Sequence, residues 1–123
     1  MPNKKILLVE DDPFLVDIYV KKLQQVGFDI VNADNGARAL KLLAESPFDL
    51  VLLDIVMPDI DGWEILKEMR ESEKGPGAKV IVFSNLGQKA DVDKAFTLGA
   101  NKYLIKANYT PSEVIEEVKK IFE

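Results

Sequence analysis

Five side chains have the types needed for joint chemistry: the carboxylates of Asp11, Asp12 and Asp54, the hydroxyl of Ser84 and the amine of Lys106. Carboxylates crowded together repel, and each tends to hold a proton unless a cation lies among them. The chain has no cysteine and no histidine, so a hard, oxygen-seeking cation fits, and Mg²⁺ suits best. A carboxylate beside a cation, a hydroxyl and an amine could accept a phosphoryl group.

The composition limits what else the chain can do. Its 123 residues suit one domain with a real core. Without cysteine there are no disulfides or thiolate sites, and without histidine there is no imidazole base. The net charge of -5 argues against direct nucleic-acid binding, and no apolar run is long enough for a signal peptide or a membrane span. We therefore expect an intracellular, cytoplasmic domain that contacts neither nucleic acid nor membrane.

The reactive residues follow short apolar runs. Strands are predicted at residues 6–9, 28–31, 50–53, 80–83 and 102–105, and a segment with helical spacing follows each. Asp12 followed by Pro13 predicts a helix start, Gly27 a helix end, and the sequence TPSE at 110–113 a capping box. A loop is predicted over residues 71–79. The chain thus reads as β-α repeated five times.

This alternation predicts an α/β fold: a flavodoxin-like, doubly wound sheet of five parallel strands in the order 2-1-3-4-5, with helices on both faces. In that order the first and third strands are neighbours, which brings Asp54 next to Glu10, Asp11 and Asp12. Ser84 and Lys106 reach the same edge from the fourth and fifth strands.

Taken one at a time, these residues have ordinary explanations. Asp12 fits a helix N-cap as well as a metal ligand, and it can be both. Ser84 ends a strand, where serine is common, and Lys106 by itself would be a solvated lysine. Tyr103 by itself would be a partly buried aromatic. Their joint arrival at one sheet edge is what favours a functional site.

The motifs VEDDP after the first strand, VLLDIVMPDIDG around Asp54, SN at Ser84 and YLIK ending at Lys106 resemble the receiver domains of bacterial two-component response regulators. The resemblance covers the whole chain, with the motifs in order. It implies that Asp54 accepts a phosphoryl group from a sensor histidine kinase or a histidine phosphotransfer protein. Ser84 would hydrogen-bond that group, Lys106 would pair with it, and Tyr103 would be the aromatic that rotates inward.

The resemblance also implies a magnesium site. Asp12 and Asp54 would bind Mg²⁺ together with the backbone carbonyl of Val56, while Asp11 would act through a metal-bound water. No other cofactor is expected.

By the same resemblance the chain is a phosphorylation switch rather than a turnover enzyme. Residues 1–123 would form a single receiver domain without an effector domain. The fourth helix, fifth strand and fifth helix would bind a downstream target that the sequence does not identify. A dimer that forms on phosphorylation is a further expectation.

Two positions depart from the family pattern. Ala107 follows Lys106 where the family usually has proline, so we expect a trans peptide bond there. Asn85 follows Ser84 where the family usually has a small residue, and its side chain could narrow access for the phosphodonor or alter dephosphorylation.

Two other functions compete. A Mg²⁺-dependent phosphatase on a related scaffold commonly needs a second aspartate two residues after the nucleophile, and Val56 occupies that position. Flavin or nucleotide binding needs a phosphate loop rich in Gly, Ser and Thr after the first strand, where this chain has the acidic EDDP.

Overall fold

Strands and helices alternate along the computed structural model, which describes residues 3–72 and 77–123. The strands are β1 Lys5–Val9, β2 Asp29–Ala33, β3 Leu50–Leu53, β4 Lys79–Ser84 and β5 Lys102–Ile105. The helices are α1 Pro13–Gln25, α2 Gly36–Glu45, α3 Gly62–Glu71, α4 Lys89–Thr97 and α5 Pro111–Ile121. A short 3-10 segment, Lys106–Asn108, follows β5.

The five strands form one parallel sheet in the order β2-β1-β3-β4-β5, which confirms the predicted fold. Val9 at the end of β1 lies opposite Leu53 at the end of β3, and Ser84 at the end of β4 lies opposite Ile105 at the end of β5. Since all strands run the same way, the residues that follow them meet at one edge of the sheet.

Side chains alternate between two apolar layers along each central strand, as a strand period of two requires. Leu7, Val9, Val51 and Leu53 join the layer that includes Ala39 of α2 and Ile65 of α3. Ile6, Leu8, Leu50 and Leu52 join the layer that includes Leu23 of α1 and Val118 of α5. Because both faces are covered, the strands consist of almost continuous apolar residues, and polar groups belong at their ends.

The helices begin where the sequence supplies caps. The Asp12, Asn35, Asp61 and Thr110 side chains each accept a hydrogen bond from a backbone N–H in the first turn of α1, α2, α3 and α5. The predicted capping box is present, because the Thr110 N–H donates in return to the Glu113 carboxylate at 2.8 Å. These caps fix the loops at the carboxyl edge of the sheet.

Some details differ from the expectations. Strand β2 begins at Asp29 and runs to Ala33, later than predicted, because Asn32 stays in the strand and donates its side-chain amide to Leu8 O at 2.9 Å. The 3-10 segment after β5 was not predicted. In the predicted loop at 71–79, α3 extends through Glu71 and β4 begins at Lys79, and residues 73–76 lie outside the described part.

The described peptide bonds contain no cis bond, so Lys106–Ala107 is trans as expected. Over the same residues, none of the helices has the length and apolar character needed to cross a bilayer.

Candidate functional site

Asp54 follows β3 directly and is held in place by both its backbone and its side chain. Its N–H donates to Val9 O at 3.0 Å, which continues the ladder between β1 and β3 by one residue. The residue is only 6% exposed. Oδ1 accepts a hydrogen bond from the Val56 N–H at 3.2 Å, and Oδ2 accepts one from Lys106 Nζ at 2.8 Å. The carboxylate is therefore fixed and already paired with a cation.

Lys106 lies between two carboxylates. Its Nζ is 2.8 Å from Asp54 Oδ2 and 2.6 Å from Glu10 Oε1. Glu10 is almost completely buried, and its Oε2 accepts hydrogen bonds from the Asp11 and Asp12 N–H groups, both at 3.1 Å. Glu10 Oε1 forms an ion pair with the ammonium but has no hydrogen bond of good geometry among the described residues. It can therefore still coordinate a cation.

Burial and pairing compete in this group of charges. Burial raises the pKa of Glu10, and the ion pair with Lys106 and the hydrogen bond from the Asp12 N–H only partly oppose that rise. Burial also works against the charged form of Lys106, but its hydrogen bond to Asp54 and its ion pair with Glu10 outweigh it, so the pKa of Lys106 is raised. Lys106 consequently stays an ammonium over the ordinary pH range.

Three carboxylates converge at the edge between β1 and β3. One oxygen each from Glu10, Asp11 and Asp54 lies within 4.8 Å of the others. Carboxylate oxygens are the ligands that Mg²⁺ prefers, and one of them, Glu10 Oε1, is buried without a well-formed hydrogen bond. The donor set therefore fits a hard divalent cation.

Asp12 lies outside this group of carboxylates, unlike the expectation from the sequence. Its Oδ1 accepts a hydrogen bond from the Phe14 N–H at 2.9 Å, so the side chain caps α1. The residue is exposed. Because Glu10 turns inward and Asp12 is engaged at the helix start, the structure places Glu10 where the sequence analysis placed Asp12.

Ser84 and Tyr103 approach the site from β4 and β5. Ser84 is fully buried, and its Oγ accepts a hydrogen bond from the Leu86 N–H at 3.3 Å. The Tyr103 hydroxyl donates to Leu86 O, and burial raises the pKa of that phenol. The loop after β4 is thus hydrogen-bonded to β5, the strand that precedes Lys106.

The loop between β3 and α3 shapes the other side of the site. Val56 is 60% exposed. The Gly62 N–H donates to Ile55 O at 2.8 Å, and a Cβ at Gly62 would lie 2.6 Å from Asp54 O, so only glycine lets α3 begin this close to Asp54. Asp59 accepts hydrogen bonds from the Gly36 N–H at 2.7 Å and the Ala37 N–H at 3.0 Å, which attaches the loop to α2.

The structure brings Asp11, Asp54 and Lys106 together, puts Ser84 at the end of the neighbouring strand and leaves Asp12 aside. Sequence analysis placed Glu10 next to Asp54 but gave it no role. The signal that could have identified it was its position: Glu10 is the first residue after a buried strand, so it remains in the sheet layer while Asp12 has already joined the helix.

Residues 6–119 match the family model described as the response regulator receiver domain. The chain is 33% identical over 120 residues to the chemotaxis protein CheY of Thermotoga maritima, covering 97% of this chain and 98% of that protein. It is 36% identical over 117 residues to the probable transcriptional regulatory protein SilR of Salmonella typhimurium, covering 95% of this chain and 50% of SilR. The chain thus spans about half the length of most of the curated regulators it matches.

Solved structures of response regulators are also similar to this chain. The response regulator protein TrrA of Thermotoga maritima, in complex with Mg(2+)-BeF, has a TM-score of 0.81 and 35% identity, covering 95% of this chain and 97% of TrrA. The BeF3-activated receiver domain of DrrB has a TM-score of 0.86 and 30% identity, covering 98% of both chains. These likenesses give no support to the phosphatase alternative.

Proposed function

The chain belongs to the family of response regulator receiver domains, and from this we propose that Asp54 accepts a phosphoryl group from a phosphohistidine. The observation that carries the proposal is the contact between Asp54 and Lys106 at the carboxyl edge of the sheet, beside Glu10 and Asp11. The chain has no histidine, so the donor imidazole must come from another protein. We propose a sensor histidine kinase or a histidine phosphotransfer protein as that donor.

The proposed step exchanges one bond for another. A carboxylate oxygen of Asp54 forms a bond to phosphorus, the N–P bond of the phosphohistidine breaks, and its electron pair stays on the imidazole nitrogen. Such transfers depend on positioning and on neutralising charge rather than on covalent chemistry by the protein. Lys106 neutralises charge near the new acyl phosphate, and the Val56 N–H holds Asp54 in orientation. Ser84 would hydrogen-bond the transferred group.

We propose Glu10, Asp11 and Asp54 as the carboxylates that would hold Mg²⁺, with the backbone carbonyl of Val56. A bound Mg²⁺ would supply positive charge against the phosphoryl oxygens. Compared with the expectation from the sequence, Glu10 joins this set and Asp12 leaves it, because Asp12 is engaged in capping α1. The solved structure of TrrA in complex with Mg(2+)-BeF supports a magnesium site in this chain.

Receiver domains are signalling switches rather than turnover enzymes. An added phosphoryl group brings roughly -1.5 to -2 charges and new acceptor oxygens. Ser84 ends β4, and the loop after it is hydrogen-bonded to Tyr103 of β5, the strand that precedes Lys106 and lies between α4 and α5 in the chain. We propose that these contacts shift the population of the surface formed by α4, β5 and α5, which would bind a downstream target or a second phosphorylated copy.

The experiment is phosphorylation with acetyl phosphate and Mg²⁺, followed by intact mass. We expect wild type to gain one phosphoryl group, and Asp54→Asn to gain none. Asp59→Asn changes an aspartate in the same loop but outside the carboxylate cluster, so it serves as the matched control and should still be labelled. Equal labelling of wild type and Asp54→Asn would overturn the proposal.

A further inference from the structure

One hydrogen bond joins the residue that follows Ser84 of β4 to the residue that follows Lys106. Asn85 Oδ1 accepts a hydrogen bond from the Ala107 N–H at 3.1 Å, across 22 positions of sequence. Asn85 directly follows Ser84, and Ala107 directly follows Lys106. The bond therefore connects the backbone next to the hydroxyl with the backbone next to the ammonium.

The Ala107 N–H has no acceptor within its own segment. It lies in the 3-10 segment Lys106–Asn108, and the first N–H groups of such a segment have no partner within it. Ile105 occupies the N-cap position and has no side-chain oxygen to offer. Asn85 therefore caps the segment from a different loop. The bond also depends on position 107 having an N–H, which proline would lack.

Neighbouring hydrogen bonds also connect the residues around Asn85 to β5. The Ser84 Oγ accepts from the Leu86 N–H, and Leu86 O accepts from the Tyr103 hydroxyl. Residues 84–86 are thus attached to β5 at Tyr103 and to the segment after β5 at Ala107. Of the two attachments, only the one made by Asn85 lies beside Lys106.

We propose that Asn85 is a positioning residue for phosphoryl transfer: its side-chain carbonyl holds the Ala107 N–H and so keeps Lys106 and Ser84 in a fixed relation around Asp54. The inference rests on the proposed function of Asp54. It assigns to Asn85 an effect opposite to that of a steric gate. A gate that is removed speeds entry of the donor, whereas a positioning contact that is removed slows the transfer itself.

The first test is the phosphorylation rate with acetyl phosphate at saturating Mg²⁺, for wild type, Asn85→Ala, Ala107→Pro and the double variant. Loss of one hydrogen bond should lower the maximal rate by about 3- to 10-fold, with little change in the donor concentration for half-maximal rate. The effect of Asn85→Ala should vanish in the Ala107→Pro background, because the donor N–H is already missing there. Asn85→Asp keeps an acceptor oxygen and Ala107→Gly keeps the donor, so both should retain the contact.

The second measurement is amide hydrogen exchange at Ala107 in the unphosphorylated protein. Asn85→Ala should speed exchange at Ala107 while the Lys102 and Leu104 amides in β5 remain protected, which also shows that the variant is folded. The proposal would be overturned if Asn85→Ala is phosphorylated faster than wild type or at the same rate. It would also be overturned if Asn85→Ala slows phosphorylation equally in the Ala107→Pro background. If wild type itself is not labelled at Asp54, the proposed function fails and the positioning role of Asn85 with it, whatever the Ala107 amide shows.

Discussion

A single ammonium compensates two buried carboxylates in this site. The side chains of Lys106, Glu10 and Asp54 are 14%, 2% and 8% exposed, so water screens their charges little. Removing one member of such a group leaves an uncompensated buried charge, which costs much more than losing an ion pair at the surface.

Lys106→Met should therefore destabilise the protein by about 3 kcal/mol at pH 8, measured by urea unfolding. The loss should shrink toward pH 4.5, since the pKa of Glu10 is already raised by burial and the carboxyl takes up a proton easily once the ammonium is gone. Lys21→Met breaks only an exposed pair with Asp17 and should change stability by less than about 0.5 kcal/mol. Similar losses in both variants would contradict the buried-pair explanation.

Magnesium should distinguish Asp11 from Asp12. A ligand that binds only the folded state at ten times its dissociation constant stabilises it by about 1.4 kcal/mol, which raises the melting temperature by a few degrees. We expect this rise in wild type and in Asp12→Asn, because asparagine caps a helix about as well as aspartate. We expect it to be largely lost in Asp11→Asn and in Asp54→Asn. Loss of the rise in Asp12→Asn alone would restore the ligand set expected from the sequence.

The sequence could not decide between these acids. Glu10, Asp11 and Asp12 follow β1 in a row, and the change from strand to helix occurs within those three residues. Which carboxylate points inward depends on where the backbone turns, and Asp12 is committed to the cap by Pro13. Residue type and spacing thus predicted the cluster and its members Asp11 and Asp54, but not the part of Glu10 in it.

At the scale of elements, side-chain caps decide where loops attach. The strand between Asp49 and Asp54 and the helix starts at Asp12 and Thr110 were visible in the sequence because apolar runs and cap residues are local signals. The contact of Asp59 with α2 was not visible, because it joins residues more than 20 positions apart.

Asp59→Asn should lower the melting temperature at pH 7. The N–H groups of Ala37 and Gly36, in that order of effect, lower the pKa of Asp59 below its ordinary 3.8. The folded state thus binds this proton less readily than the unfolded state. The stability from Asp59 is therefore present above pH 3.8 and is lost as the pH falls through the lower folded pKa. The gap between variant and wild type should close over that acidic range in thermal scans.

Asp17→Asn provides the control, because Asp17 makes only an exposed pair with Lys21. Its melting curve should follow that of wild type across the same pH range. A gap for Asp59→Asn that stays constant down to pH 2 would show that the carboxylate charge is not what holds the loop against α2.

At the scale of the whole molecule, the amino edge and the carboxyl edge of the sheet, where the strands begin and end, differ in the hydrogen bonds that hold their loops. At the amino edge, Lys79 Nζ donates to Ile121 O at 3.1 Å, and the Asn101 side chain accepts from the Val80 N–H at 2.8 Å. Arg70 donates to Gly99 O at 2.7 Å. At the carboxyl edge the loops are joined mainly to one another around the carboxylates. The alternation of strands and helices predicted that a parallel sheet has one edge where the strands begin and one where they end. The side chains that form hydrogen bonds at the amino edge are far from their partners in sequence, so no local pattern indicates them.

Beryllofluoride with Mg²⁺, standing in for the phosphoryl group, should slow amide exchange in the loops after β3, β4 and β5. Exchange at Val80 and Asn101, on the amino edge, should stay unchanged within about twofold, as expected when opening there does not involve the site. Asp54→Asn with the same additives should show no slowing at either edge. Uniform slowing over the whole sheet would indicate a general gain in stability instead of a response confined to one edge.

The ammonium of Lys106 has three protons to distribute. In the unmodified protein it contacts Glu10 and Asp54, and an acyl phosphate on Asp54 would add three competing oxygens. If the ammonium turns toward those oxygens and leaves Glu10, that carboxylate keeps only the N–H groups of Asp11 and Asp12 at the entrance of α1. We therefore expect modification of Asp54 to affect the first turn of α1 through the contact that Lys106 makes with both carboxylates. Helix α1 lies on the face of the sheet opposite to α4.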